Sequence, residues 1–583
     1  MSTNNFVPSL ILRTPLWIFL WATLCFAAFS FHIEAIPPYH TDENFYVESV
    51  RNMVETGDYI TPVYQDKKRF AKPPLYYWAV ALNYKVLGPG HVSARLVSAF
   101  MGALCIALTF FLTRRLFDEP TAWLSAFILP GLYLHFQISR WAITDMMMAF
   151  FVLSAFYCSL RSVENTRVRI GWLYLFYFSI SLGFLTKGPP AVLIPASSLI
   201  LYRFFQKEKI PLREFRILSG LVLILAMNLP WFLTMWLLHG DEFKNHILGA
   251  EIKNRVIHDL PFSFYYFGVL IRYNLPWSLF FISALLYWSG WKQKEGFKNL
   301  KLSPWKKIRF VAGSLRENPS LLFCLTWVFA PIIVFTLFRI EHSRYLLPVA
   351  PAMAALLAHF FIELNANPNG LKSILFKIPF YTTLGIYGLI AIASALALCL
   401  VYPLSPVPLS VLLLPILLLP GTTLLFYGYR AGKSLRVIIA TGILQVLLLT
   451  LVSGSVQTYF NRSPMQVFAD KILEVGSGKE ELALFQGSSH RARLGIMTAQ
   501  SAYNFEEIKE LIHFIQTPGQ KFIVMKEKDW QTNFQNLPLR KIAEDQLWQS
   551  KKQDKGLIGK ILSDGILQHR DDLLETHVLF STF

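Results

Sequence analysis

The sequence predicts an all-α polytopic membrane protein followed by a small C-terminal α/β domain. Of its 583 residues, 54% are hydrophobic and only 16% are charged, and the mean hydropathy is +0.41, values that argue against a soluble multidomain enzyme. Apolar stretches of roughly 18 to 25 residues recur along the first three quarters of the chain, the length that a helix needs to cross a bilayer. From about residue 458 this pattern ends and charges of both signs mix.

The apolar stretches define about thirteen predicted membrane spans. They lie near residues 14–33, 94–114, 121–138, 143–160, 171–186, 189–205, 217–238, 263–289, 319–338, 345–363, 377–400, 408–428 and 437–457. The first stretch resembles a signal peptide, but the spans that follow it favour an uncleaved anchor. We therefore expect a transmembrane domain over residues 1–457.

Basic residues account for the formal net charge of +18 and orient the predicted spans. They collect in alternate connections, within residues 114–115, 161–169, 203–216, 292–316 and 430–436. By the positive-inside rule these connections are cytoplasmic, so the N-terminus is expected inside and the 34–93 loop and the C-terminus outside. The charge is thus a topogenic signal, and no nucleic-acid partner is expected.

The first outer loop, residues 34–93, is long and rich in aromatic residues. Within it, Phe45, Tyr46, Val50, Met53 and Val54 fall at helical spacing, which predicts a helix lying along the membrane interface. The segment KPPLYYWAVALNYKVLG (72–88) begins with prolines suited to a first helical turn and carries an aromatic belt. Two interfacial helices are therefore expected above the bundle.

The C-terminal segment, residues 458–583, is predicted to be an extracytoplasmic α/β domain. Short apolar strands, LALF (482–485) and KFIVM (521–525), flank the helical run FEEIKELIHFI. The five cysteines all lie inside predicted spans, where none has a partner at disulfide or metal spacing. No cluster with metal-ligand spacing is visible elsewhere, so no metal or cofactor is expected.

Two adjacent carboxylates, Asp42 and Glu43, open the first predicted interfacial helix. On one reading they are structural, because Thr41 or Asp42 caps the helix and Glu43 meets its dipole, worth about 0.5 to 2 kcal/mol. On the other, a carboxylate held at the lipid–water boundary acts as a general base on an acceptor hydroxyl. One residue can fulfil both roles.

Further polar side chains stand at predicted outer span ends. A single one would be explained by snorkelling, but this set carries both signs on one side and predicts a polar cavity that opens outward. Cations that converge from separate helices suit a lipid-linked phosphate, whose oxygens they neutralise. The set comprises Lys72, Arg95, Asp145, Lys187, Arg255, His258, His342, Arg344 and Tyr345.

Four stretches carry a family resemblance: DENFYVESVRNMVETGDYITPVYQDKKRFAKPPLYYW, SARLVSAF, TKGPPA and RYLLPVAPAMAALLA. Together they resemble the bacterial polyprenyl-phosphate-dependent membrane glycosyltransferases of the GT-C superfamily (glycosyltransferase families 39 and 83). Within these the nearest resemblance is to the lipid A aminoarabinose transferases, which are related to the protein O-mannosyltransferases. The resemblance covers residues 14 to about 360 by motif and the remainder by layout. It implies a bacterial inner-membrane enzyme with an extracytoplasmic active site.

The resemblance also implies residue roles. Asp42 matches the catalytic carboxylate, Asp145 matches a second acidic position, and Lys72, Arg255 and Tyr345 match donor-phosphate contacts. Two positions depart from the aminoarabinose transferases: Ala71 stands where glutamate precedes KPP, and EHSRY replaces a KLP-x-Y pattern. In the aminoarabinose transferases that glutamate belongs to a metal-linked contact of the first loop, so Ala71 bears on whether a metal is held there. Both departures bear on the identity of the sugar.

The predicted function is therefore inverting transfer of a sugar from a polyprenyl-phosphate donor to an acceptor at the outer membrane face. The acceptor is expected to be lipid A or another glycolipid, with a protein serine or threonine or a growing polysaccharide as the alternatives. A transporter or flippase is the rival class, but it would place ionisable residues near the midplane of paired segments. A structural scaffold would have no need of clustered outer cations.

Overall fold

The computed structural model describes residues 14–34, 41–65, 67–164, 167–206, 210–247, 249, 263–289, 313, 316–367, 370–401, 407, 409–460, 464–498, 500–548 and 573–583. Most of the described chain is helical. The helices before the C-terminal sheet are α1 (Thr14–Ser30), α2 (Thr41–Thr56), α3 (Leu75–Leu87), α4 (His91–Leu116), α5 (Glu119–Ile128), α6 (Tyr133–Ile138), α7 (Thr144–Ser162), α8 (Ile170–Lys187), α9 (Pro190–Gln206), α10 (Ile217–His246), α11 (Tyr265–Arg272), α12 (Trp277–Trp288), α13 (Pro319–Leu337), α14 (Ala350–Ala366), α15 (Ile374–Val401), α16 (Leu409–Arg430), α17 (Ser434–Leu451), α18 (Gln457–Phe460) and α19 (Met465–Val475).

Every predicted span coincides with one of these helices or with a consecutive pair. Among the described residues, eight helices are long and apolar enough to cross a membrane, or nine if the bent pair α11 and α12 forms one span. The count of thirteen therefore stays a prediction. One reason for the lower number is that the predicted span near 121–138 is divided into α5, a 3-10 turn at Leu129–Gly131 and α6.

Burial separates central helices from peripheral ones. The segment Ser343–Ala366 comprises a 3-10 turn at Ser343–Val349 and α14. In its most apolar 18-residue stretch 89% of the residues are buried, and the segment packs against α5 and α13. In the corresponding stretches of α10 and α15 only 17% of the residues are buried. Since apolar side chains on such helices lack protein neighbours, α10 and α15 form the lipid-facing periphery of the bundle.

The first outer loop contains a helix at both predicted places, α2 and α3. Between them runs a short hairpin of β1 (Val63–Tyr64) and β2 (Lys67–Lys68). Tyr46, Val47 and Val50 are buried along one stripe of α2 because they recur at helical spacing. The start of α3 follows Lys72, Pro73 and Pro74, and Pro74 is its N-cap. Lys72 is thus placed between two helices that lie against the bundle.

Arg140 completes the carboxyl-terminal end of α1. Its guanidinium is fully buried and donates to the carbonyls of Ala28, Phe29 and Phe31 at 3.0, 2.8 and 2.6 Å. The last carbonyls of a helix have no partner within the helix, and buried ones require another donor. Arg140 was not predicted as a structural residue, because SRW (139–141) lies in the short connection between the predicted spans near 121–138 and 143–160.

The C-terminal sheet has five strands in the order β6, β5, β7, β9, β8. A short hairpin after α7 holds β3 (Val163–Glu164) and β4 (Arg167–Val168). The strands of the C-terminal sheet are β5 (Glu481–Phe485), β6 (Ala502–Phe505), β7 (Lys521–Lys526), β8 (Arg540–Trp548) and β9 (Leu574–Ser581). The first three are parallel, and β9 runs antiparallel to β7 and β8. Both predicted strands and the predicted helix, here α21 (Ile508–Gln516), are confirmed. The domain boundary at residue 457 stays a prediction.

A second helix of this domain, α20 (Ser488–Thr498), lies on α2. Arg51 of α2 donates to the carbonyl of Gly495 at 3.2 Å. Arg493 is 5% exposed and lies within electrostatic range of Glu43 and Arg95 in the bundle. The sheet domain therefore supports the helix that carries Asp42.

Two histidines give this domain a predicted pH dependence. The rings of His490 and His577 lie 6.3 Å apart, and burial, followed by the charges of His577 and Arg493, lowers the pKa of His490 to about 4. Burial also lowers the pKa of His577, which Glu575 partly offsets. Both imidazoles are therefore neutral in the folded domain at neutral pH.

The domain should lose stability as the pH falls from about 6.5 to about 4, because the unfolded histidines, with pKa near 6.5, bind protons that the folded ones do not. Above about pH 6.5 the stability contribution is fully present. Hydrogen exchange of β5 and β7 amides in the full chain at pH 7 and pH 5 measures the change. The His490→Gln protein should show a smaller difference between the two pH values, whereas the exposed His513→Gln control should match wild type. An equal difference in all three proteins would contradict the assignment.

Candidate active site

Four charged side chains from four separate elements meet at the end of the bundle under α2. Asp42 stands in the first turn of α2, Asp145 in the first turn of α7, Lys187 at the last residue of α8, and Arg344 in the 3-10 turn 343–349. The two carboxylates alternate with the two cations: Arg344 Nη2 lies 3.0 Å from Asp42 Oδ2, and Arg344 Nη1 lies 3.8 Å from Asp145 Oδ2. Lys187 Nζ pairs with Asp145 Oδ1.

Solvent exposure differs sharply along this charged row. The side chain of Asp42 is 30% exposed and that of Arg344 is 18% exposed, whereas Lys187 is 6% and Asp145 is 2% exposed. Asp145 is therefore a buried anion held by two cations, which is the condition under which a buried charge is tolerated. Of the four, Asp42 and Arg344 are the groups that a ligand can reach.

Tyr345 and Lys72 border the same row. Lys187 Nζ lies 4.7 Å from the centre of the buried Tyr345 ring, and that ring also contacts Phe335. Lys72 Nζ donates to the Ala71 carbonyl at 2.9 Å and is close enough to Asp145 to interact with it electrostatically. The structure thus brings Lys72, Asp145, Lys187 and Tyr345 together, as expected from their positions at predicted span ends.

Glu43 and Arg95 form a different kind of pair. Both side chains are fully buried, and Arg95 donates through Nε and Nη2 to the two oxygens of Glu43 at 2.9 Å each. Glu43 Oε1 also accepts the backbone N–H of Ala142 at 2.8 Å, and Arg95 Nη1 donates to the Ile33 carbonyl at 2.6 Å. This network fastens the end of α1 and the starts of α2, α4 and α7 to one another. It holds Asp42 and Asp145, its near neighbours in the chain, in position.

His342 lies at the margin of this region. Its ring is 5.5 Å from the Tyr345 ring, and its backbone carbonyl accepts the Tyr266 hydroxyl at 3.4 Å. The predicted donor-phosphate ligand Arg255 and the further candidate His258 lie outside the described residues.

Two residues of this region, Tyr46 and Arg69, interact with each other and were not predicted from the sequence as site residues. Tyr46 is buried, hydrogen-bonds Thr144 and interacts with Asp42, and burial raises its pKa well above the usual value, so its hydroxyl stays protonated. The guanidinium of Arg69 stacks 3.9 Å from the Phe45 ring centre. The signal for Arg69 was the basic run DKKR three residues before Lys72.

Among the residues that the structure describes, no group of three or more His, Cys, Asp or Glu side chains is placed to hold an ion. The row Asp42, Arg344, Asp145, Lys187 instead offers cations contributed by the chain itself, which can neutralise a phosphate.

A family model matches the first part of the chain. Residues 38–240 match dolichyl-phosphate-mannose-protein mannosyltransferases. This stretch holds Asp42, Lys72, Asp145 and Lys187, and it ends before the segment of Arg344 and Tyr345.

Two relatives extend the comparison. An uncharacterized protein of Aquifex aeolicus is 29% identical over 381 residues, 65% of this chain and 68% of that protein. An undecaprenyl phosphate-alpha-4-amino-4-deoxy-L-arabinose arabinosyl transferase of Aeromonas hydrophila is 26% identical over 382 residues, 64% of this chain and 64% of that protein. The alignment thus spans just under two thirds of the length of that transferase.

Two solved structures cover nearly all of the chain. ArnT from Cupriavidus metallidurans in the apo state superposes with a TM-score of 0.71 at 17% identity, over 98% of each chain. The same protein bound to undecaprenyl phosphate superposes with a TM-score of 0.69, over 97% of this chain and 98% of that one. The predicted fold class, a GT-C helical bundle with a small C-terminal sheet domain, is therefore confirmed, and so is the resemblance described from the sequence.

Proposed function

Because the chain resembles the polyprenyl-phosphate-dependent membrane glycosyltransferases in motif and in fold, we propose that it transfers a sugar from a polyprenyl-phosphate donor to lipid A or another glycolipid. The reaction takes place at the outer face of a bacterial inner membrane, with the N-terminus inside and the sheet domain outside. Basic residues in alternate connections support that orientation.

The observation that carries the proposal is the row Asp42, Arg344, Asp145, Lys187. It presents one reachable carboxylate beside a reachable guanidinium, with a buried carboxylate and ammonium behind them. A glycosyl phosphate needs both features, because its leaving phosphate gains negative charge as the glycosidic bond breaks. Arg344, Lys187 and Lys72 supply cations for that phosphate, with Tyr345 as a hydroxyl donor. By family resemblance, Arg255 is a further phosphate ligand.

Donor binding also prepares the catalytic carboxylate. In the present structure Arg344 is paired with Asp42 at 3.0 Å. A donor phosphate competes for that guanidinium and leaves Asp42 available to the acceptor. Asp145 keeps Arg344 and Lys187 in place throughout, since it is buried and contacts both.

The transfer is a single displacement. The acceptor oxygen forms a bond to the anomeric carbon, the bond from that carbon to the phosphate oxygen breaks, and its electron pair stays on the phosphate. Asp42 takes the acceptor proton, and the anomeric configuration inverts. An acceptor phosphate is already ionised, in which case Asp42 orients it and accepts no proton.

A protein acceptor is the second candidate, favoured by the match to dolichyl-phosphate-mannose-protein mannosyltransferases over residues 38–240. The aminoarabinose transferase relatives favour the lipid acceptor. The test incubates purified protein with labelled undecaprenyl-phosphate sugars and offers lipid A and membrane protein as separate acceptors. Label in lipid A supports the proposal, and label in protein supports the second candidate. Folded protein that transfers no sugar from any donor would overturn both.

Lys72→Ala should weaken donor binding, because it removes one cation from the phosphate site while leaving Asp42 unchanged. A charge-assisted contact of about 1.5 to 3 kcal/mol predicts a rise in the donor Kd of roughly 10- to 150-fold. Titration with undecaprenyl phosphate measures it.

The matched control is Lys68→Ala, from the same loop. Lys68 is 44% exposed and pairs with Glu242 at 2.9 Å, away from the row of charges. Its donor Kd should equal that of wild type. Equal Kd values for Lys72→Ala and wild type would remove Lys72 from the donor site.

A further inference from the structure

A cavity of about 280 Å³ lies between α6 and the end of α17, apart from the charged row. It is lined chiefly by Gln137, Leu449, Val452, Ser453, Val456 and Gln457. Its position is at the end of the bundle that carries Asp42, since His32, just past α1, contacts the Gly454 carbonyl at 3.0 Å. No described residue that lines this cavity is charged.

The wall on the α17 side is a π-helical segment, Val452–Val456. Single π turns inside α-helices are rare and occur frequently at functional sites. Here Gly454 is pressed against α1, where an added Cβ would come within 2.6 Å of the Phe31 ring. The wide turn is therefore fixed on one side by α1, while Val452, Ser453 and Val456 line the cavity.

Gln137 places an unsatisfied hydrogen-bond donor at this cavity, within the described part of the chain. Gln137 is only 3% exposed, and it lines the cavity. Ser453 Oγ donates to Gln137 Oε1 at 3.5 Å, which leaves the amide nitrogen as the group to be satisfied. In the described part of the chain, Gln137 Nε2 has no hydrogen-bond partner. Buried amide donors are normally hydrogen-bonded, so a ligand in this cavity would be expected to present an acceptor oxygen to Nε2.

The lining chemistry selects the kind of ligand. Leu449, Val452 and Val456 accept hydrocarbon, and the neutral amides and hydroxyl offer hydrogen bonds without charge. A phosphate is disfavoured because nothing in the described lining would neutralise it. An ester or amide carbonyl within hydrocarbon fits, as found where an acyl chain joins a lipid headgroup. The isoprenoid chain of the donor has no such carbonyl.

We propose that this cavity binds the acyl linkage of the acceptor glycolipid, an inference that rests on the proposed transfer to a lipid acceptor. Gln137 Nε2 donates to the linkage carbonyl, and the acyl chain lies along Leu449, Val452 and Val456. The cavity adjoins the catalytic region, because α6 also contacts the 3-10 turn that carries Arg344 and Tyr345. The acceptor is thus held on one side of that turn while its headgroup extends to Asp42.

The test measures binding of three lipids to the purified full-length protein, without sugar transfer: lipid A, phosphatidylethanolamine and undecaprenyl phosphate. Gln137→Met keeps the side-chain volume and removes the amide, and should raise the lipid A Kd roughly fivefold to tenfold. Val456→Phe fills the cavity and should raise it further. Undecaprenyl phosphate should bind both variants as it binds wild type. Gln466→Met, an exposed glutamine outside the bundle, is the control.

Three results would overturn the inference: unchanged lipid A affinity in both variants, a parallel loss of undecaprenyl phosphate affinity, or phosphatidylethanolamine binding as tight as that of lipid A. The last would assign the cavity to bulk bilayer lipid. Melting midpoints of the lipid-free variants report on folding, and Val456→Phe decides the question if Gln137→Met is unfolded. Because binding is measured without donor sugar, absence of transfer by wild type would overturn the proposed function separately.

Discussion

The Asp42→Asn protein is expected to transfer sugar to a hydroxyl acceptor roughly 100- to 10,000-fold more slowly than wild type, the range lost with a general base. An amide takes no proton from the acceptor. It also lacks the charge that holds Arg344 at 3.0 Å, so Arg344 is released to the donor phosphate. Donor affinity should therefore be equal to or tighter than that of wild type. Single-turnover transfer and undecaprenyl phosphate titration measure the two effects.

Asp58→Asn is the matched control, in the loop after α2. Asp58 Oδ1 accepts the N–H groups of Ile60 and Thr61 at 2.8 and 3.2 Å, and an asparagine oxygen can accept both. Its transfer rate should match wild type. A rate within twofold of wild type for Asp42→Asn would show that Asp42 is not the catalytic carboxylate.

Breaking the buried pair of Glu43 and Arg95 should have the largest effect on stability. In Glu43→Gln, the Arg95 guanidinium stays buried and loses its counter-charge, and removal of one partner from a buried pair costs about 3 to 5 kcal/mol. The thermal midpoint should fall sharply, as should transfer, because the same network positions Asp42 and Asp145.

Glu55→Gln supplies the comparison on the same helix. Glu55 pairs with Arg51 at 2.8 Å but is 53% exposed, and exposed pairs are worth about 0 to 1 kcal/mol. The thermal midpoint of the Glu55→Gln protein should therefore lie near that of wild type. If Glu43→Gln has the thermal midpoint of wild type yet loses sugar transfer, Glu43 takes part in the chemistry directly.

The sequence predicted the members of the charged row better than their pairing. Asp145, Lys187 and Arg344 each stand at an outer end of a predicted span, and Asp42 opens the predicted interfacial helix on the same side, so their convergence follows from topology. Arg344 is 302 residues from Asp42, and which carboxylate it contacts depends on packing between the elements that carry them. No local pattern encodes that contact.

The difference in burial between Asp42 and Glu43 was, by contrast, visible in the sequence. Glu43 precedes the buried residues Tyr46, Val47 and Val50 by three, four and seven positions, which puts its side chain on the stripe of α2 that faces the bundle. Asp42 lies one position off that stripe. A buried carboxylate there requires a partner, and Arg95 is the cation that meets it.

The capping of α1 has a consequence for biogenesis. Its terminal carbonyls, together with that of Ile33, receive hydrogen bonds from Arg140 and Arg95, which the ribosome adds more than 60 residues later. The hydrogen bonding at the end of α1 is thus completed only after Arg95 of α4 and Arg140, which precedes α7, have been synthesised. Translation order and bundle assembly are coupled at this point, because a nascent chain that stops before Arg140 lacks the donor for the carbonyls of Ala28, Phe29 and Phe31.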